Sequence, residues 1–220
     1  MPRLNMSEAQ TRVLILDEAE RLFTEIGFEK TTIADIARAC GFSSANVHRV
    51  YGTKHAINCA AAERKLNAKL QAARGAVAQA ETAVEKLKAF TRTVHALTAT
   101  TIEDNKRVHE MVAKAIEERW DEVSAYRLEL VEIAREIIAL GVQTGEFNVD
   151  DVDVAARAFH VSAMSFFHPL AVADMMVSSD SCRLEEWLPQ ALRGLGATPE
   201  APANASRTLS VTCSASGASP

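Results

Sequence analysis

Three residues, Gly41-Phe42-Ser43, separate two short runs whose apolar side chains recur at helical spacing. Ile33, Ile36, Ala37 and Cys40 lie on one face of the first run, and Val47, Val50 and Tyr51 on one face of the second. A link this short leaves room only for a sharp turn, so the pattern predicts a helix-turn-helix. The hydroxyl of Thr32 is placed to cap the first helix, with Asp35 three residues on, although aspartate reaches back less well than glutamate would. Gly41 is expected to end that helix in a left-handed turn, and Ser43 to cap the next. Upstream, Ile15, Ala19, Leu22, Phe23 and Ile26 predict a further helix from about Glu8, closed by Gly27.

Beyond Thr53 the chain reads as helix almost throughout. Runs are expected over about Lys54 to Ala80, Ala83 to Thr100, Asn105 to Trp120, and a fourth carrying Leu130, Ala134, Ile137, Ile138 and Gly141 to near Gly145. Asp150 or Asp151 should cap an apolar helix to about Met176, kinked at Pro169, because proline removes a donor and clashes with the preceding turn. A last short element spans about Leu184 to Leu195, its start obscured by Pro189. From Ala197 the Ala/Ser/Thr/Pro composition has no period and reads as a disordered tail. The expected fold is all-α, with a three-helix N-terminal domain over residues 1–54, a larger helical domain over 55–196 and a tail over 197–220.

Charge separates these parts. The chain carries a net −5, yet residues 1–54 hold seven basic and seven acidic residues, so the whole excess lies downstream. No acid falls between Ile36 and Lys54, where Arg38, Arg49 and Lys54 stand. The outward residues of the second short helix, Ser44, Ala45, Asn46, His48 and Arg49, combine small side chains with groups that can hydrogen-bond base edges. Thr32, Ser43, Thr53 and Lys54 flank them, where phosphate contacts would set register. Double-stranded DNA is the partner this surface suits.

The downstream part offers no catalytic pattern: no phosphate-cradling glycine loop, no metal-spaced Cys/His set and no nucleophile elbow. We therefore expect no enzyme and no cofactor. His160, Met164 and His168 share a helical face, a weak arrangement for a metal. No apolar run reaches the ~20 residues of a membrane span, and the four cysteines form no paired motif, which fits a reduced, cytoplasmic setting. Candidates to line a pocket for a small-molecule effector are Phe90, His95, His109, Met111, Trp120, Tyr126, Met164 and Phe167. The apolar run from Val152 to Met176 and the segment around Trp187, Leu188 and Leu192 are candidates for a dimer face.

The run "ILDEAERLFTEIGFEKTTIADIARACGFSSANVHRVYGTKHAI" resembles the DNA-binding region of the tetracycline-repressor (TetR) family of bacterial transcription regulators. The likeness rests on "LF…GF…TT-ADIA", the "GFS" turn and the aromatic-x-x-Lys exit at Tyr51–Lys54. It implies that Ser44, Ala45 and Asn46 form the tip of a recognition helix, that Lys54 grips a phosphate and that Tyr51 is mostly structural. His48 stands where the family usually has a phosphate-binding tyrosine, Ser44 where many members have lysine and Ala45 where many have glycine. The resemblance further implies a homodimer, with the last two helices paired across subunits, acting as a repressor released by a small molecule. An activator of the same fold, or a helical enzyme or carrier without DNA binding, are the alternatives.

Overall fold

The computed structural model describes residues 6–103, 114–115, 117–118, 120–175 and 182–197, and within these every regular element is a helix. The first three are α1 (Glu8–Glu25), α2 (Ile33–Cys40) and α3 (Ser44–Tyr51). Long helices α4 (Lys54–Gln79), α5 (Ala83–Glu103) and α6 (Asp121–Thr144) follow. The chain closes with α7 (Val152–Ser162), α8 (Met164–Phe167), α9 (Pro169–Met175) and α10 (Leu184–Gly194). Most of the helix expected over about Asn105 to Trp120, and the tail beyond residue 197, lie outside the described residues.

An eight-residue helix is marginal by itself, so the short head depends on caps and packing. Serine or threonine opens each of its helices, and Thr53 opens α4. The Thr32–Asp35 box closes fully: the Asp35 amide donates to Thr32 Oγ1 at 3.2 Å, and Asp35 Oδ2 accepts from the Thr32 amide at 3.0 Å. Aspartate thus reaches where its length argued against it. The Thr32 hydroxyl also donates to Asp35 Oδ2 at 2.6 Å, drawing the carboxylate onto the cap. Gly41 takes the left-handed conformation (φ +71°), which lets the Phe42 amide reach back to the Ala37 carbonyl at 2.8 Å.

Two apolar cores share α4. The first joins Ile15, Ala19, Phe23, Ile36, Val47 and Val50 to Ile57 and Ala61 of α4, and includes Trp120. The second runs from Leu70 and Ala73 of α4 through Leu87, Phe90, Leu130, Ile137 and Ile138 to Phe159, Phe167 and Leu188. Arg64 fastens α4 to α1, with Nη1 at 2.6 Å from Asp17 and Nε at 2.9 Å from Glu20.

Past α6 the "TGEF" segment is a built turn. Gly145 is left-handed (φ +77°), and Glu146 then swings its carboxylate onto the open start of α5, accepting from the Ala83 and Val84 amides at 3.0 Å each. Burial works against that charge, but the hydrogen bonds from Ala83 and Val84 prevail and hold the carboxyl below its ordinary value. The Phe147 ring packs against Gly141 of α6, in the space a Cβ there would need.

The expected single helix to about Met176 is instead three pieces. It breaks at Ala163 and again at His168, whose extended backbone (ψ 122°) is what the residue before a proline prefers. Pro169 therefore begins α9 rather than kinking a helix, a position where its missing amide costs nothing. Met176 lies outside the described residues. Pro189 sits inside α10, which starts at Leu184.

Candidate functional site

Helix α3 presents Ser44, Ala45, His48 and Arg49 to solvent, with Asn46 half-exposed and Val47 and Val50 buried beneath. Ser43 Oγ accepts from the Asn46 amide at 3.2 Å, so the cap also fixes the first turn. Arg49 Nη2 donates to Asn46 Oδ1 at 3.1 Å, which joins the two side chains on the solvent side of α3 and leaves their remaining nitrogens as donors. His48 Nδ1 lies 2.8 Å from the Gly52 carbonyl. Because a carbonyl only accepts, Nδ1 carries the proton and Nε2 is left outward. Gly52, at φ +73°, ends α3.

Thr53 Oγ1 accepts from the Ala56 amide at 3.1 Å and thereby starts α4 directly beneath α3. Lys54 Nζ donates to the Glu29 carbonyl at 3.1 Å and sits 5.1 Å from the centre of the Phe28 ring. Burial lowers its pKa, only partly offset by Glu29. Lys54 thus anchors the α1–α2 loop, and this is the one hydrogen bond its ammonium makes among the described residues. Thr32, exposed, opens α2 on the other side.

Arg12 was not singled out by sequence patterning, yet it ties α1 to α3. Its Nη1 donates to the Val50 carbonyl at 2.7 Å, its guanidinium lies 4.6 Å from the Tyr51 ring centre, and the Tyr51 hydroxyl donates to the Arg12 carbonyl at 3.2 Å. Tyr51 is accordingly a strut. An arginine near the polar start of α1 carries no periodic signal, so only its partner's position could reveal this role.

A second feature lies between α4, α5, α6 and the α7–α9 corner: a cavity of about 790 Å³. Of the expected pocket residues, Trp120, Tyr126, Met164 and Phe167 line it. Phe90 does not; it is fully buried, edge-on to Phe167 with centroids 5.7 Å apart. His95 does not either, being half-buried with Nδ1 3.1 Å from the Phe166 carbonyl. Both face the second core, a helical stripe that sequence spacing cannot tell from a pocket wall. His109 and Met111 lie outside the described residues. Patterning missed Lys69, Thr98 and Arg127, which come from three helices.

Trp120 also touches the head. Its indole lies 5.2 Å from the His55 ring and 6.3 Å from Phe28, centroid to centroid, beside Lys54. Leu188 and Leu192, expected on a dimer face, are buried in the second core, because α10 packs that side inward. Among the described residues no group of three or more His, Cys, Asp or Glu could hold a metal ion. Burial, followed by the nearby Glu122, pushes the Cys59 thiol up to about 11, which makes it a poor nucleophile.

Residues 15–58 match the model for bacterial regulatory proteins of the tetR family, and residues 83–187 match the tetracyclin repressor-like C-terminal domain. The chain belongs to the TetR family. Its fold is that of a DNA-binding transcriptional regulator, a TetR head on a helical C-terminal domain. No curated protein matches it significantly. Among solved structures, a tetR-family regulatory protein from Rhodococcus RHA1 is 20% identical over 88% of this chain and 100% of its own, with a TM-score of 0.57. A TetR/AcrR-family regulator from Thermobifida fusca is 22% identical over 84% of this chain and 96% of its own, at 0.59. RolR in complex with resorcinol is 18% identical over 86% of this chain and 89% of its own, at 0.57. At these identities the likeness is one of fold. No described helix of this family member is long and apolar enough to cross a membrane.

Removing the Asn46–Arg49 pair should change which duplex is preferred. Asn46→Ala or Arg49→Ala is expected to cost ~1–3 kcal/mol at the base pair each one reads and little elsewhere. Competition binding across single-base operator variants measures this. Uniform weakening across all of them would remove base reading from both residues.

Proposed function

We propose that this TetR-family chain is a homodimeric repressor that a small molecule releases from its operator. One observation carries the reading: α4 begins directly after α3, whose outward face is free of carboxylates, and its later residues Lys65, Leu66 and Lys69 line the cavity, which Trp120 closes on the side of the head. In this reading Ser44, Ala45, Asn46 and Arg49 meet base edges, while Ser43, Thr53 and Lys54 meet phosphates; His48 joins them as the imidazolium, with Nε2 also protonated, and Thr32 once its hydroxyl turns from Asp35 to the duplex. Residues 1–54 form the reading head, 55–196 the regulatory part and 197–220 a tail. RolR, a protein of similar fold solved with resorcinol, supports an organic effector for this fold.

Release follows from linkage: an effector that prefers a body geometry in which the heads are misplaced must weaken operator affinity by the same factor. Two heads are needed because one recognition helix covers too little duplex, and dimers read half-sites ~34 Å apart. Val154, Ala158 and Val161 form an exposed apolar stripe on α7, which replaces Leu188 and Leu192 as the face offered to a second copy.

Selection of duplexes from a random pool by the purified protein tests this reading. We expect an inverted repeat with half-site centres one helical turn apart, bound by two chains. Selection of no duplex at all would overturn DNA regulation. An operator that brackets no promoter element would favour activation over repression. Lys54→Ala should weaken binding to every sequence alike and make the salt slope shallower by about 0.9, one phosphate's worth. An unchanged slope with a destabilised head would make Lys54 an anchor of the α1–α2 loop alone.

A further inference from the structure

The cavity's walls are sorted by chemistry. Leu66, Leu97, Leu130, Met164 and Phe167 supply an apolar body, and Lys65, Lys69, Arg127, His160 and His168 supply nitrogen-bearing groups. No aspartate or glutamate lines it among the described residues. In a chain whose excess charge is negative, this is a local inversion. Lys65 has a distant partner, Glu20 at 3.8 Å, whereas neither Lys69 nor Arg127 has a carboxylate partner among the described ion pairs. Burial, together with Lys65, pulls Lys69 down to about 8.

His160 supplies the independent observation. The residue is only 6% exposed in the cavity wall, and among the described residues neither ring nitrogen has a hydrogen-bond partner. A buried imidazole without partners forfeits the hydrogen bonds that water would give it, so a native fold keeps it where something else completes it. Arg127 is close enough to oppose a proton on both His160 and His168, which places the three groups in one neighbourhood.

We propose that the cavity binds a small amphipathic organic anion, a carboxylic acid with an apolar body. Its carboxylate meets Lys69, Arg127 and His160, and its body lies against Leu66, Leu97, Met164 and Phe167. A cationic ligand would face only like charge, and a neutral one would leave the half-buried Lys69 ammonium uncompensated. The volume suits a molecule of drug-like size, within the usual range of about 300–1,000 Å³. The assignment rests on the reading of this cavity as the effector site.

The test uses the full chain and two series of fixed body: decanoate, decanamide and decylamine, then 3-phenylpropionate, its amide and its amine. Binding is followed by calorimetry and thermal shift, without DNA. In at least one series the acid should bind about tenfold or more tighter than the amide, and the amine should not bind. Lys69→Met and Arg127→Met should each lower acid affinity about tenfold and leave amide affinity unchanged. An amide or amine that equals the acid in both series, or an acid that binds in neither, overturns the assignment. Equal loss of acid and amide affinity in a folded variant also overturns it. Operator release is measured separately. An acid that binds without releasing DNA retains this assignment and defeats the release mechanism; release by an amide or amine that binds as tightly as the acid in both series does the reverse.

Discussion

Trp120→Ala is expected to lower stability by about 3–5 kcal/mol, the usual cost of emptying a buried aromatic site. The residue is only 4% exposed and closes the head core against Phe28 and His55. The same ring forms part of the cavity wall, so the substitution joins two voids across the boundary between reading head and body. Denaturant melts followed by circular dichroism would measure the loss. Trp120→Phe restores most of the volume while dropping the indole hydrogen bond to Glu118 (2.8 Å), so it should fold and bind DNA. If effector binding no longer weakens operator affinity in Trp120→Phe, the ring transmits the signal. Full release in that variant would assign transmission to α4 alone, and a loss below about 1 kcal/mol for Trp120→Ala would contradict its place in the core.

Gly141→Ala should destabilise the body by about 1–3 kcal/mol, although alanine is by itself the better helix former by roughly 1 kcal/mol. A Cβ at position 141 would land on the Phe147 ring, which cannot withdraw because the Phe147 amide is bonded to the Gly141 carbonyl at 3.0 Å. Forcing the ring away would also drag Glu146 from the start of α5, so two helices feel one methyl group. Phe147→Ala alone costs a core aromatic. The pair Gly141→Ala/Phe147→Ala should therefore be more stable than the sum of the single losses, a coupling that a double-mutant cycle reads directly. Simple additivity would place the Phe147 ring elsewhere.

The head was legible because its signals are local. A turn of three residues, a glycine that must be left-handed and hydroxyls at cap positions are all read within one or two helical turns. The outward character of Ser44, Ala45 and Arg49 followed from the same spacing. Illegible were features set by meetings between distant helices. Arg12 acts on Val50 and Tyr51, 38 and 39 residues away. Phe90 and Tyr126 have the same apolar appearance in sequence, yet only one borders the cavity. Lys69 and Arg127 look like ordinary solvated positions on their own helices, and their joint meaning exists only where α4 and α6 converge. The apolar stretch after Asp151 hid two breaks, because hydrophobicity continues through a corner as readily as through a helix.

The Arg64 fork gives ionic strength a second point of action. Asp17, Glu20 and Arg64 are partly solvent-exposed, and their attraction joins the reading head to the helix that carries it. Added salt screens such pairs as well as the phosphates of a duplex. Operator affinity should therefore fall with salt more steeply than counted phosphate contacts alone require, the surplus reporting a head that hangs more loosely. Two regulators with identical DNA-facing residues could then respond differently to an osmotic upshift, purely through how firmly the head is tethered.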